Sequence, residues 1–188
     1  SPEELTLHLA SWGTAEADLA GLQPLRKALP AWVPEGTPGH FLKHADEQTV
    51  VAVSALDRAV AALGGSAERF ADWSIIAAPQ CLGRIAGASS LERFTKGGAP
   101  GISPHLIPQH SLHSVSGALS ILLGSRRPNF GVGGSSQSLA EALLAALTLP
   151  GSGSRGVWLI ATGFEPEPVL DAAGACLNSP SCYAVALA

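Results

Sequence analysis

The sequence predicts a layered α/β domain with helices packed on a mixed five-stranded sheet, and three observations carry that prediction. Short apolar runs, such as those from Trp73 to Ala78 and from Gly156 to Ala161, alternate with longer segments whose apolar residues fall at helical spacing. Those short runs are continuously apolar, which is the pattern of strands covered on both faces rather than half-solvated ones. The chain has 188 residues, 46% of them hydrophobic and 14% charged, which suits one core-rich domain spanning residues 1–188.

Taken in order, the first strand is expected from Glu4 to Trp12, where Leu5, Leu7 and Leu9 alternate with Thr6 and a surface-facing His8. From Gly13 to Gly39 the prolines at 24, 30, 34 and 38 break any long element, leaving a covering loop with a short helix near Asp18 to Leu29. Trp12 and Trp32 are read there as packing residues. Asp46 to Leu63 places Val50, Val53, Leu56, Val60 and Leu63 on one helical stripe and stops at Gly64-Gly65. Trp73 to Ala78 is the second strand. Pro79 to Gly101 reads as a Gly-rich loop carrying a short helix near Leu91 to Lys96.

Gln109 to Leu123 predicts a helix buried on several sides, because it is nearly uncharged and rich in Ser, Gly and Ala. Gly124 ends it, Arg126-Arg127-Pro128 turns the chain, and Asn129 to Val132 forms a short strand. A tight turn of Gly133, Gly134, Ser135 and Ser136 leads into an Ala-rich helix from Gln137 to Leu149. Gly156 to Ala161 and Cys182 to Leu187 complete the sheet. Glu165 and Glu167, beside Pro166 and Pro168, read as a solvated loop.

Composition excludes several classes. A net charge of −4 with no Lys/Arg run argues against a nucleic-acid surface. No apolar segment reaches the roughly 18 to 20 residues a membrane span needs, and no basic region followed by an apolar run opens the chain, so a cytoplasmic location is the expectation. Cys81, Cys176 and Cys182 are odd in number and lack metal-ligand spacing, so they are expected to be free, buried thiols. No cofactor motif is present: the GVGGSS piece is neither a P-loop nor a dinucleotide fingerprint.

The strand-to-helix turn at residues 133–136 is where many α/β proteins expose a nucleophile. It is not a G-x-S-x-G elbow, because no Gly follows the serine at the required spacing, and all six histidines lie upstream of it. A Ser/His/Asp hydrolase is therefore disfavoured. His105, His110 and His113 invite a metal reading, but Pro104 and Pro108 interrupt any shared helical face, and no Asp, Glu or Cys in the same stretch completes a ligand set. No metal site is expected; packing or interface roles suit these histidines better.

The order of the pieces resembles the N-terminal half of a β-ketoacyl synthase of the thiolase-fold superfamily. That family carries P-x-x-I-P-x-x-x-x-N/H, a buried small-residue helix, G-x-R/K-G-P-N, a strand ending in Thr-Ala-Cys, an apolar helix and A-G-G-x-E. The corresponding pieces are Pro104 to His113, Gly124 to Asn129, Phe130 to Ser136, Gln137 to Leu149 and Ala161 to Glu165. Upstream, Phe41 to Gly65 is similar to the family's early helix, and Trp73 to Arg84 to its second strand and following Gly loop. The resemblance covers most of the chain, and implies a thiolase-like half as the fold.

Three departures set the functional expectation. Ser136 stands where the family has its nucleophilic Cys, with Ser135 in place of the preceding Ala. The family's catalytic His set lies in its C-terminal half, which this sequence is expected to lack, and the stretch after Glu165 is shorter than usual. A serine hydroxyl without a base is a weak nucleophile, so Ser136 is expected to be inactive in condensation. The resemblance then implies a degenerate, chain-length-factor-like scaffold for fatty-acid, polyketide or aryl-polyene-type biosynthesis. It would form a homodimer, or a heterodimer with a ketosynthase-like chain. Asn129, Phe130, Val132 and His113 are the expected interface, and Arg126 and Arg127 a candidate docking point for an acidic acyl carrier protein. The alternatives are an acyltransferase or thioesterase with Ser136 as acyl carrier, and one half of a split condensing enzyme.

Overall fold

Trp12–Asp18 (β1) is the first strand of the structure, a computed structural model that describes residues 6–133, 136–149 and 153–188. It is followed by Leu22–Leu25 (α1), Glu47–Ala62 (α2), Trp73–Pro79 (β2), Arg84–Gly97 (α3), Leu106–His110 (α4) and Ser114–Leu123 (α5). Asn129–Gly131 (β3), Ser138–Thr148 (α6), Gly156–Glu165 (β4) and Ser181–Leu187 (β5) complete the order. The strands form one mixed sheet in the order β1-β5-β4-β2-β3. β3, β2 and β4 run parallel, whereas β5 is antiparallel to both β4 and β1.

The period of two along the strands sorts side chains to two faces. Ile75, Ala77, Trp158, Ile160, Cys182, Ala184 and Ala186 point to one face and are buried against α2 and α5. Phe70 packs edge-on to Trp73 and Trp158, with ring centroids 5.3 and 5.2 Å away, and anchors the end of this layer. β1 and α2 approach closely: a Cβ at Gly13 would overlap the Ala55 carbonyl oxygen and lie 2.7 Å from the Ala59 nitrogen. Ile76, Ala78 and Leu159 point to the other face, where α6 covers them with Ala142, Ala146 and Leu149.

Five strands and a mixed sheet are as the sequence indicates, but several boundaries move. The first strand is Trp12–Asp18, not Glu4 to Trp12; residues 6–10 have no regular structure, and 4 and 5 lie outside the described residues. Leu7 and Leu9, which suggested the strand, are 47% and 63% exposed, while the true strand turns only Gly13, Ala15 and Ala17 inward. Small inward residues give β1 little hydropathy contrast. The region after Gly13 is therefore not wholly loop, and Trp12 is 60% exposed rather than packed. Trp32 does pack, with its indole N–H donating to Asp57 Oδ1 at 2.7 Å.

The loop expected from Pro79 to Gly101 holds the long helix α3, which buries only Ser90 and so shows no apolar stripe. Gln109 to Leu123 is two helices, because Ser111 leaves the helical region at φ −89° and ψ 162°. Glu165 ends β4 instead of lying in a loop. All three cysteines are free as expected; Cys182 is buried, and Cys81 and Cys176 are half-buried. Among the described residues no helix is long and apolar enough to cross a membrane.

Candidate functional site

Ser136 sits, exposed, in the turn between β3 and α6. Gly134 and Ser135 lie outside the described residues. Gly133 has φ +77°, and a Cβ there would come 2.5 Å from Ser138 Cβ and 2.7 Å from Ser138 Cα, so only glycine lets the chain turn this tightly into the helix. Gln137 occupies the cap position of α6 and makes no side-chain cap bond there. Ser138 Oγ, at the first residue of α6, is buried without a hydrogen-bond partner among the described residues. Among the described residues no histidine or carboxylate is hydrogen-bonded to Ser136.

The strand that leads to this turn lies at the edge of the sheet. Among the described residues β3 pairs with β2 alone, through Asn129, Phe130 and Gly131 opposite Ile75, Ile76 and Ala77, and so lies at the sheet edge. Asn129 and Phe130 are half-buried, as is Val132 just beyond. Asn129 Oδ1 is buried and unpartnered among the described residues. His113 is exposed at the start of α5, its Nδ1 3.3 Å from Ser116 Oγ. A Cβ at Gly131 would overlap the Leu112 carbonyl oxygen, so β3 and the α4–α5 junction are locked together.

The two arginines of the preceding turn differ. Arg127 donates from Nε and Nη2 to Asp72 Oδ1 at 3.2 and 3.0 Å. Arg126 is exposed, held through its backbone N–H to the Ala71 carbonyl, and its guanidinium faces solvent.

A buried polar network that sequence reasoning did not assemble ties the other end of β2 to α2, α3 and α4. Asp46, 1% exposed, caps α2 through Oδ1, which accepts the Gln48 N–H at 2.9 Å. Its Oδ2 accepts the Gly83 N–H at 3.0 Å and His110 Nδ1 at 2.9 Å. Gln48, also buried, accepts from Thr162 Oγ1 at 2.7 Å and donates to the Gln80 carbonyl at 2.7 Å. Asp46 opens the helix that the sequence indicates; its partner His110 lies 64 residues away and is set by the fold. Burial, with the charge of Asp46 beside it, pushes the Glu47 carboxyl up, and the Arg26 guanidinium partly opposes this.

The three histidines considered together in the sequence separate here. His105 stacks on His44 with centroids 5.0 Å apart, His110 is bound to Asp46, and His113 belongs to α5.

Solved structures share this architecture. A ketosynthase described in complex with its type II polyketide synthase acyl-carrier protein, bound to the hexaketide, matches with a TM-score of 0.63 and 12% identity over 94% of this chain. The chain has the ketosynthase fold. The ishigamide ketosynthase/chain length factor matches at TM-score 0.56 with 18% identity over 94% of the chain. A β-ketoacyl synthase from Burkholderia phymatum matches at 0.55 with 14% identity over 95%. The chain spans 61%, 61% and 58% of the length of these three ketosynthase structures, respectively. No protein-family model and no curated protein matches the sequence.

Within this ketosynthase-like half, the exposed turn before α6 is the place that the motif resemblance assigns to the nucleophile, and Ser136 is the residue there.

Proposed function

We propose that this chain is a catalytically degenerate, ketosynthase-like partner subunit of a polyketide-type or related acyl-assembly system. The observation that carries the reading is a serine, Ser136, in the turn between β3 and α6, with no histidine or carboxylate bonded to it among the described residues. Decarboxylative condensation needs a thiolate-like nucleophile and two polarising groups for the enolate. A neutral serine hydroxyl is a far weaker nucleophile than a thiolate unless a base activates it. What the frame retains is shape and edges. In this reading the open side of β3, with Asn129, Phe130, Val132 and His113, pairs with a second ketosynthase-like chain, and the free guanidinium of Arg126 attracts an acidic carrier protein. Arg127 contributes less to that attraction because Asp72 already engages it.

The reading is tested by incubating the purified chain with acyl- and malonyl-carrier protein and following the carriers by intact mass spectrometry. The expected result is no β-ketoacyl product. Steady product formation by the isolated chain overturns the proposal. An acyl adduct that disappears in Ser136→Ala would instead establish the acyltransferase or thioesterase alternative.

A second reading, one half of a split condensing body, is favoured by the α6 side of the sheet. Leu139, Leu143 and Leu144 of α6 are 42%, 46% and 66% exposed. A cleft of about 700 Å³ beside them is lined by apolar groups including Leu9, Leu149, Val157, Leu159 and Leu187. Such a surface suits a second layer of protein supplied by a separate chain.

A further inference from the structure

A second polar site, away from the β3–α6 turn, lies where α3, α4 and the turn before α4 meet. These elements enclose a cavity of about 190 Å³ lined by His44, Ser90, Arg93, Ser103, His105 and His110. No Asp or Glu is among its lining residues, so in a chain of net charge −4 it is a local concentration of cationic and hydrogen-bond-donating groups. Asp46 lies behind His110 and is fully occupied by its own donors, Gln48 N–H, Gly83 N–H and His110 Nδ1.

His110 Nδ1 lies 2.9 Å from Asp46 Oδ2; with the carboxylate as acceptor Nδ1 donates, and Nε2 is the ring nitrogen turned away from that pair. Nε2 makes no hydrogen bond among the described residues. The ring is held at one end by a buried group and its side chain is 15% exposed, which is the arrangement that orients an imidazole toward a ligand. Opposite it, Arg93 Nη2 donates to Ser90 Oγ at 3.3 Å, a contact too weak to occupy a guanidinium fork with five donors. Ser90 itself is 3% exposed. His44 and His105, stacked with planes 2° apart, close another side.

We propose that this cavity binds a small oxyanion, a phosphate or carboxylate group, held by Arg93 and by the Ser90 and Ser103 hydroxyls, with His110 Nε2 as the oriented fourth contact. The volume admits an anion of a few heavy atoms with accompanying water, since a water occupies roughly 30 Å³. The guanidinium fork matches the paired oxygens of either group. In the doubly protonated ring both nitrogens are donors, one to Asp46 and the other to the ligand.

The test is NMR of the histidine ring protons during titration of the whole chain with inorganic phosphate and, separately, with malonate, each against sodium chloride at matched ionic strength. The expected result is a saturable shift of the His44, His105 and His110 signals with at least one oxyanion and none of that size with chloride. Response to phosphate alone identifies a phosphoryl ligand, response to malonate alone a carboxylate, and response to both an unselective oxyanion site. Arg93→Gln, at an exposed position, should weaken the binding about tenfold or more and keep the fold. His110→Gln should weaken it as well. Shifts no larger than those from chloride, or binding unchanged in Arg93→Gln, overturn the proposal.

Discussion

The two faces of the sheet are built to different standards. On the α2–α5 face the helices and strands interlock: α2 alone buries Val50, Val51, Ala52, Val53, Ala55, Leu56, Ala59 and Val60, and every strand except the short β3 turns side chains into the same layer. On the α6 face a single helix buries only Ser138, Ala142 and Ala146, and leaves three leucines partly in solvent beside an apolar cleft. The first face holds most of the buried core; the second leaves apolar side chains in contact with solvent. Apolar surface that the monomer does not need for its own core is available for a partner.

That contrast can be broken or sharpened experimentally. The largest expected effect is on thiol accessibility. Cys182 points into the sealed layer and is fully buried, and burial pushes its thiol well above the ordinary range, which leaves almost no thiolate. Its alkylation in the native protein should run about a thousandfold or more behind that of the half-buried Cys176, because it requires unfolding of a whole domain layer. Peptide mass spectrometry after timed iodoacetamide labelling measures this. Comparable rates at the two sites would mean that the α2–α5 face is not sealed.

Next comes Phe70→Ala, which removes a ring wedged between Trp73 and Trp158 and should cost about 3–5 kcal/mol in urea denaturation. Gly13→Ala forces a methyl into the Ala55 carbonyl and should cost about 1–3 kcal/mol, unless β1 moves away from α2. The smallest effect belongs to the open face: Leu144→Ser, at a position 66% exposed, should change stability by no more than about 0.5 kcal/mol. The same variant should lower binding of a hydrophobic dye. A large loss of stability there would show that the α6 face is already part of the monomer's core.

Much of this was legible in the sequence wherever one physical signal dominated. β2 and the first part of β4 are short, mainly apolar runs, and α2 has a clean stripe and a Gly-Gly stop, so their positions follow from pattern. β1 was misplaced because its inward residues are Gly13, Ala15 and Ala17, while the better alternation at Leu7 and Leu9 belongs to an exposed segment. α3 went unrecognised beyond its end because a peripheral helix has no stripe to show. Of the candidate site, the turn before α6 came from the order of motifs, not from hydropathy. The Asp46–His110 pair was invisible because only tertiary structure joins the N-cap of α2 to α4.

The central claim is that this ketosynthase-like half works by association and not by its own condensation chemistry. Light scattering coupled to size-exclusion chromatography tests it most directly, on the chain alone and mixed with a ketosynthase from the same biosynthetic system. The account predicts a defined dimer or heterodimer in at least one of the two samples. A chain that elutes as a monomer in both would contradict it.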